Sequence, residues 1–386
     1  MKAGFAGSGF AANFHYEALK RVCDVDVEMA GVYSPTPSHA RQFASVRGMK
    51  AFDSLEELIE VSDVIHVCTP PSSHESIVIA ALAAGKSVIV EKPFTGYFGD
   101  GSPDFSGDGF DRETALAKAR ESIARMLEAE SKSRGRIMYA ENWVYAPAVQ
   151  KEREIVERTR CQILWLTGEQ SHSGSHSPSY GVWSLSGGGS LIGKGSHPIG
   201  AVLYLKQVEG LSRDGRPIRP KSVSARVHAL TRMPSFRNLG HIRASYTDIE
   251  DFASVHIVFE DGTVADVFAN EVSLGGTNNR LEVRADNHRT ICNMSHNDAM
   301  ETYTPDARQF SDVYVVEKTE TKEGWSKIAP DEGWFLGYQH EMSDFYRSLA
   351  RGTEPCSGSR LAADTVNVIY SAYLSASLKG REVEIQ

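Results

Sequence analysis

The sequence predicts an α/β protein: a doubly wound parallel sheet at the N-terminus, followed by an α+β domain with a large, open, mostly antiparallel sheet. Three observations predict it. Short apolar runs alternate with helix-like segments through the first third of the chain, the pattern of βαβ units in a parallel sheet. A glycine-rich turn sits between the first apolar run and the first helix-like one. After Tyr145 the texture changes to strand-like pieces joined by turn residues such as Glu260-Asp-Gly-Thr263.

The chain opens Met1-Lys-Ala-Gly-Phe-Ala-Gly-Ser-Gly-Phe-Ala-Ala12, an apolar stretch running into Gly7-x-Gly9-x-x-Ala12. Gly7 permits a tight turn, Gly9 lets a pyrophosphate approach the backbone, and small Ala12 allows close helix–strand packing. Free amides and the dipole of the following helix favour phosphate there. A second strand is predicted over Val25–Tyr33 and a helix over Pro37–Val46. A helix over Leu55–Val61 follows the possible cap Ser54, then a buried strand over Val64–Cys68 ending at Thr69-Pro-Pro71. Glu75–Ala84 is helical and stops at Gly85. Ser87–Val90 is the next strand and runs into Glu91-Lys92-Pro93. Ligands of such sheets bind beyond the carboxyl ends of the strands, where Ser34, Thr69, Pro70 and Glu91-Lys92-Pro93 fall.

Gly96–Phe110 lacks periodicity and reads as a surface loop; a long helix over Arg112–Lys132 and a strand over Arg136–Ala140 follow, ending at Glu141-Asn142-Trp143. The second half is predicted to hold a helix at Pro147–Arg158. Its strands are Ile163–Thr167, Lys221–Leu230, Ser254–Phe259, Val264–Ala269 and Asn279–Arg284, and its further helices Pro198–Leu205, Gln339–Arg351 and Leu361–Leu378. The domain boundary is placed between residues 141 and 142.

Bulk properties narrow the function. With 41 Lys and Arg against 50 Asp and Glu in 386 residues, the net charge is −9, which argues against nucleic acid or an anionic membrane as partner. Five scattered cysteines without a C-x-x-C argue for reduced thiols and a cytoplasmic protein. Ile77–Ala84, among the longest apolar runs, is far short of a membrane span, and the N-terminus reads as a strand rather than a signal peptide.

Three groups could carry chemistry. Lys92 lies between an acid and a proline at a strand end, before an X–Pro bond that admits a cis form. It could stabilise the alkoxide formed as hydride leaves a substrate hydroxyl, or be a surface lysine paired with Glu91. His197, in Gly187-Gly-Gly-Ser-Leu-Ile-Gly-Lys-Gly-Ser-His-Pro198, titrates near neutrality and suits a general base. Its plain alternative is a structural ring at a helix start. Lys194 stands three residues before it. Glu169, His172 and His176 could be read as metal ligands, but the Gly and Ser between them argue against one shared face. Substrate hydrogen bonding from a loop, or a plain exposed loop, are the alternatives; no metal is predicted.

Together, Gly7-x-Gly9-x-x-Ala12, Thr69-Pro70-Pro71 with His74, Glu91-Lys92-Pro93, Glu141-Asn142 and the Gly187–His197 stretch resemble the Gfo/Idh/MocA oxidoreductases. The resemblance implies a Rossmann domain, then an α+β domain whose open sheet walls the substrate site and joins subunits into a homodimer or homotetramer. It implies hydride transfer between NAD or NADP and a hydroxyl or keto carbon of a sugar, inositol or related polyol. Two alternatives stay open: tightly bound NAD used for transient oxidation in elimination or epimerisation, and a sensor that binds without turnover. By resemblance Lys92 and His197 are catalytic, with Lys194 beside them. Gly7, Ser8, Gly9, Phe10, Ala11, Ala12, Ser34, Thr36, Thr69, Pro70, His74, Glu91, Lys92 and Asn142 face the cofactor. Lys92, His172, His176, Lys194 and His197 face the substrate. The family frequently has an aspartate four residues before the histidine; here that place is Gly193, so the imidazole lacks its usual orienting carboxylate unless Lys194 takes over part of the role. At the end of the second strand, Ser34 replaces the acid that often holds NAD ribose, which leaves NAD and NADP both open. The long Gly96–Phe110 loop is expected to help enclose the site.

Overall fold

The computed structural model describes residues 1–385 except 176, 178, 179, 296 and 297. Five strands, β1 (Lys2–Ala6), β2 (Glu28–Tyr33), β3 (Val64–Val67), β4 (Ser87–Glu91) and β5 (Ile137–Ala140), form a wholly parallel sheet in the order β2-β1-β3-β4-β5. A parallel bridge from Val32 to Ala51 adds a rudimentary sixth position beyond β2. Gly31 is needed there, because a Cβ would lie 2.4 Å from the Lys50 carbonyl oxygen. The central strands read as apolar runs because helices cover both faces; β3 and β5 are buried along their whole length. Strand order reverses between β1 and β3, the place where such sheets open a crevice.

The second sheet has the order β11-β10-β6-β9-β8-β7-β14. Its strands are β6 (Ile163–Ser171), β7 (Pro220–His228), β8 (Phe252–Phe259), β9 (Val264–Asn270), β10 (Asn278–Ala285), β11 (Arg289–Asn293) and β14 (Val383–Glu384). Neighbours are antiparallel except β6 and β9, which run parallel. Burial alternates residue by residue along β8, as expected where one face packs and the other is open. Leu164, Trp165, Phe268 and Ile291 are exposed. The short pair β12 (Glu301–Thr304) and β13 (Gly324–Lys327) stands apart. No helix among the described residues is long and apolar enough to cross a membrane.

Most predicted elements are present with ends shifted by one to a few residues. The helix predicted over Pro198–Leu205 is much longer, Ser196–Asp214, because its polar C-terminal half is held by buried charges that periodicity does not register. Lys206, fully buried, donates to Glu209 Oε2 at 2.5 Å and Asp261 Oδ2 at 3.0 Å, tying this helix to the β8–β9 turn. Gly96–Phe110 is also not the lid expected of it. Gly107 N–H donates to Asp248 Oδ2 at 2.6 Å, Asp108 pairs with Arg232, and Tyr97, Phe105, Phe110 and Trp183 pack edge to face or tilted. The loop is spent joining the two halves away from the cleft. Replacing Lys206 with Met leaves Glu209 and Asp261 without their buried cation; denaturant unfolding is expected to show a loss of about 3 kcal/mol.

Candidate active site

One cleft of about 510 Å³ opens at the β1/β3 reversal and is walled by both halves of the chain. Its floor is the Gly7–Ala11 turn. Gly7 has φ +105°, and a Cβ would sit 2.5 Å from the Cys68 carbonyl oxygen; only glycine fits. A Cβ on Gly9 would meet nothing within 4 Å, so this turn offers bare backbone and empty space to a ligand. The helix Phe10–Leu19 that follows has neither a side-chain cap nor an acid in its first turn. Its first amides are therefore left for an anion, and an N-terminal helix dipole favours one. Together these features fit the pyrophosphate of a dinucleotide. Ser34 and Pro35, just past β2, and His39 on the Pro37–Arg47 helix stand on the cleft wall, with no acid among them.

Of the residues expected to face the cofactor, Gly7, Ser8, Gly9, Phe10, Ala11, Ser34, Thr69, Pro70, Glu91, Lys92 and Asn142 line the cleft. Three do not. Ala12 is fully buried beneath the turn, which suits a packing role. Thr36 precedes the helix Pro37–Arg47 as its N-cap residue. His74 is fully buried with its ring nitrogens 3.0 and 2.9 Å from the carbonyl oxygens of Pro93 and Thr69, so it pins two rim loops rather than touching the cleft.

Lys92, His172, Lys194 and His197 all line the cleft; His176 lies outside the described residues. The Lys92–Pro93 peptide is cis, and Lys92 Nζ donates to the Gly193 carbonyl at 2.8 Å. Burial and the nearby Lys194 ammonium lower Lys92 to about 8. His197 begins the Ser196–Asp214 helix, stacks on Trp143 and sits with Nδ1 2.6 Å from Glu141 Oε1. Gly200, one turn on, makes room for that acid: a Cβ there would lie 2.9 Å from Glu141 Cγ. Burial and the cations Lys92 and Lys194 hold His197 well below the ordinary histidine range. Burial likewise pushes the Glu141 carboxyl well up, with Lys92 opposing.

Glu141 is the residue that sequence reasoning missed. The imidazole has its orienting carboxylate after all, supplied from the end of β5 rather than from position 193. A side chain at 193 would have to displace the Tyr180 ring, since a Cβ would come within 2.6 Å of it. The available signal was position: Glu141 ends a strand on the rim where the other site residues cluster.

The second sheet forms the opposite wall with Gln170 and His172 from β6 and its exit, and Thr277 and Asn279 from the start of β10. Gln170 Nε2 donates to Asn279 Oδ1 at 2.9 Å, while its buried Oε1 has no hydrogen-bond partner among the described residues. His172 Nδ1 lies 2.9 Å from Gly174 N and 3.3 Å from the buried Glu271 carboxylate. Lys194 donates to Ser175 Oγ at 3.0 Å and lies 3.5 Å from the buried Glu271 carboxylate. Glu169 accepts from Ser171 Oγ. It points to the other face of β6 from Gln170, as strand alternation requires, and does not join His172 in a ligand set.

Fold and site thus define a dinucleotide-binding Rossmann domain whose cleft is completed by a second, sheet-walled domain. Residues 1–102 match the family model described as the GFO_IDH_MocA oxidoreductase family, NAD-binding Rossmann fold. Over 92 residues the chain is 34% identical to glucose-6-phosphate 3-dehydrogenase of Bacillus subtilis, covering 24% of this chain and 26% of that protein. Over 95 residues it is 30% identical to UDP-N-acetylglucosamine 3-dehydrogenase of Acidithiobacillus ferrooxidans, covering 25% of this chain and 29% of that protein. The matches thus span less than a third of those relatives. The whole chain superposes on the crystal structure of GenD2 from gentamicin A biosynthesis in complex with NAD. The TM-score is 0.79 at 22% identity, covering 100% of this chain and 96% of the other, a likeness of fold.

Since the space beside Gly9 is open, Gly9→Val is expected to leave stability within about 0.5 kcal/mol while weakening NAD binding at least tenfold. Nucleotide titration by calorimetry, alongside a thermal melt, checks both.

Proposed function

We propose that this chain is an NAD(P)-dependent oxidoreductase acting in the cytoplasm between nicotinamide and a hydroxyl or keto carbon of a sugar, inositol or related polyol. One observation carries the reading: a lysine, a carboxylate-bound histidine and a second lysine meet on one wall of the cleft that begins at the phosphate-binding turn. In this division of labour residues 1–141 hold the dinucleotide. Residues 142–386 supply the substrate wall and, through the exposed apolar face of the second sheet, join subunits into a dimer or tetramer.

The backbone of Gly7–Ala11 binds the pyrophosphate, and Ser34, Pro35 and His39 receive the adenosine ribose. The bound nicotinamide supplies the hydride-accepting carbon. His197 Nε2 takes the proton of the substrate hydroxyl while Nδ1–H is held by Glu141, which fixes tautomer and ring direction. Burial opposes charge on both members of this pair, while the Lys92 ammonium favours the ionised Glu141 that holds Nδ1–H across the 2.6 Å contact. Lys92, anchored by the Gly193 carbonyl, stabilises the negative charge developing on the substrate oxygen. Lys194 and the vacant acceptor Gln170 Oε1 offer hydrogen bonds to further hydroxyls, which favours a polyol over a simple alcohol.

The test is reduction of NAD or NADP, followed by absorbance, with a panel of inositols, sugars and sugar phosphates. Turnover of at least one panel member is expected; cofactor binding with no redox change or product from any member would overturn the reading. With the active substrate, His197→Asn is expected to lower kcat by on the order of 10²–10⁴-fold, and Glu141→Gln by on the order of 10²-fold.

The pH profile of kcat/KM for oxidation has a definite sign. His197 must be neutral and Glu141 ionised, and since burial lowers the first and raises the second, activity falls as pH drops through the titration of the pair rather than of either residue. Lys92 must be protonated, so activity falls as pH rises through about 8. A profile still rising above pH 9 contradicts the role given to Lys92.

A further inference from the structure

Behind the cleft wall runs a row of buried polar side chains that this chemistry does not use. His15 on the Phe10–Leu19 helix, His66 on β3 and Tyr346 on the Tyr338–Arg351 helix are all fully shielded from solvent. His15 Nε2 lies 3.0 Å from Glu91 Oε1, and its Nδ1 lies 2.9 Å from His66 Nδ1. His66 Nε2 lies 2.7 Å from the Tyr346 hydroxyl. At the other end Glu91 Oε2 accepts from Lys92 N–H at 3.0 Å.

The protons in this row are placed by elimination. An ionised carboxylate only accepts, so His15 Nε2 carries the proton it shares with Glu91. The Nδ1–Nδ1 contact takes one proton, and with the His15 ring carrying only its Nε2 proton His66 Nδ1 supplies it. That leaves His66 Nε2 to accept from the Tyr346 hydroxyl. Burial holds His66 well below the histidine range and Tyr346 well above the tyrosine range, so neither an imidazolium nor a phenolate breaks the order. Every donor points toward Glu91, and aligned hydrogen bonds in a low-dielectric interior strengthen one another.

We propose that Tyr346, His66 and His15 form a polarised hydrogen-bond chain that fixes the Glu91 carboxylate and makes His15 a positioning residue for Lys92. The proposal rests on the reading of Lys92 given above and adds that its charge is governed from behind the wall. The charged groups facing Lys92 are Lys194, Glu91, Glu141 and Glu271. The titratable groups facing Glu91 are His15, Lys92, His74, Cys68, Tyr139 and Tyr338, with buried Glu341 also near, and Asp63 approaches Tyr346. Burial pushes Glu91 up and the His15 hydrogen bond brings it down. Without that donor the carboxylate gains a proton and no longer helps to hold Lys92 protonated.

The test needs neither substrate nor turnover: acetic anhydride labelling of Lys92 as a function of pH, read by peptide mass spectrometry on the whole chain. The wild-type midpoint is expected near about 8. His15→Leu is expected to move it down by about one pH unit. His15→Gln, which offers an N–H to Glu91 and a carbonyl to His66, is expected to keep it. Tyr346→Phe removes only the last donor and is expected to move it down by less. An unmoved midpoint in folded His15→Leu, or equal shifts in the Leu and Gln variants, overturns the proposal. Should His15→Leu not fold, Tyr346→Phe decides, and an unmoved midpoint there overturns it. A wild type that labels and shifts as expected yet turns over no substrate would sink the dehydrogenase reading while leaving the chain standing.

Discussion

The hydrogen bond from Lys92 Nζ to the Gly193 carbonyl crosses from the end of β4 to the loop leading into the Ser196–Asp214 helix. Everything proposed for the cleft depends on that crossing. It brings an ammonium from the parallel sheet to the lip that carries Lys194 and His197. The Gly96–Phe110 strap and the buried Asp248 and Glu250 carboxylates hold the receiving loop from the other side. Asp248 accepts from Gly107 and Trp183 N–H, and Glu250 accepts from Gly189 and Leu191 N–H. A buried carboxylate bound by several donors is costly to displace, which makes the loop a rigid platform for a catalytic group.

Within that frame the site is built by substitution of parts. Tyr180 fills the space that a side chain at 193 needs, so the backbone carbonyl there is turned to another use and receives Lys92. The carboxylate that steadies His197 comes instead from β5, and Gly200 clears its path. The imidazole keeps an acid partner on one nitrogen and a free edge on the other, an arrangement recognised by geometry and role rather than by sequence position.

The parallel sheet was legible because β1, β3, β4 and β5 are buried apolar runs punctuated by Gly, Pro and Ser. The phosphate turn was legible because Gly7 and Gly9 do jobs no other residue can. Lys92 and His197 stood out by their place at a strand end and a helix start. Glu141 did not, since the sequence alone cannot reveal that a strand end in one half faces a helix start 56 residues later. The loop at Gly96–Phe110 was misread for a related reason. Its Gly, Asp and Ser content signals irregular backbone, but its packing on Trp183 and Asp248 is a tertiary fact. The His15–His66 contact was hidden too, because each histidine sits in an apolar pattern where it reads as an ordinary core residue.

The most direct test is a crystal structure of the protein with NAD or NADP and an unreactive polyol. The account predicts the pyrophosphate on the Gly7–Ala11 amides and the nicotinamide beside Lys92, with a polyol oxygen within hydrogen-bond reach of both Lys92 Nζ and His197 Nε2. A dinucleotide bound elsewhere, or a polyol oxygen contacting neither group, would contradict it.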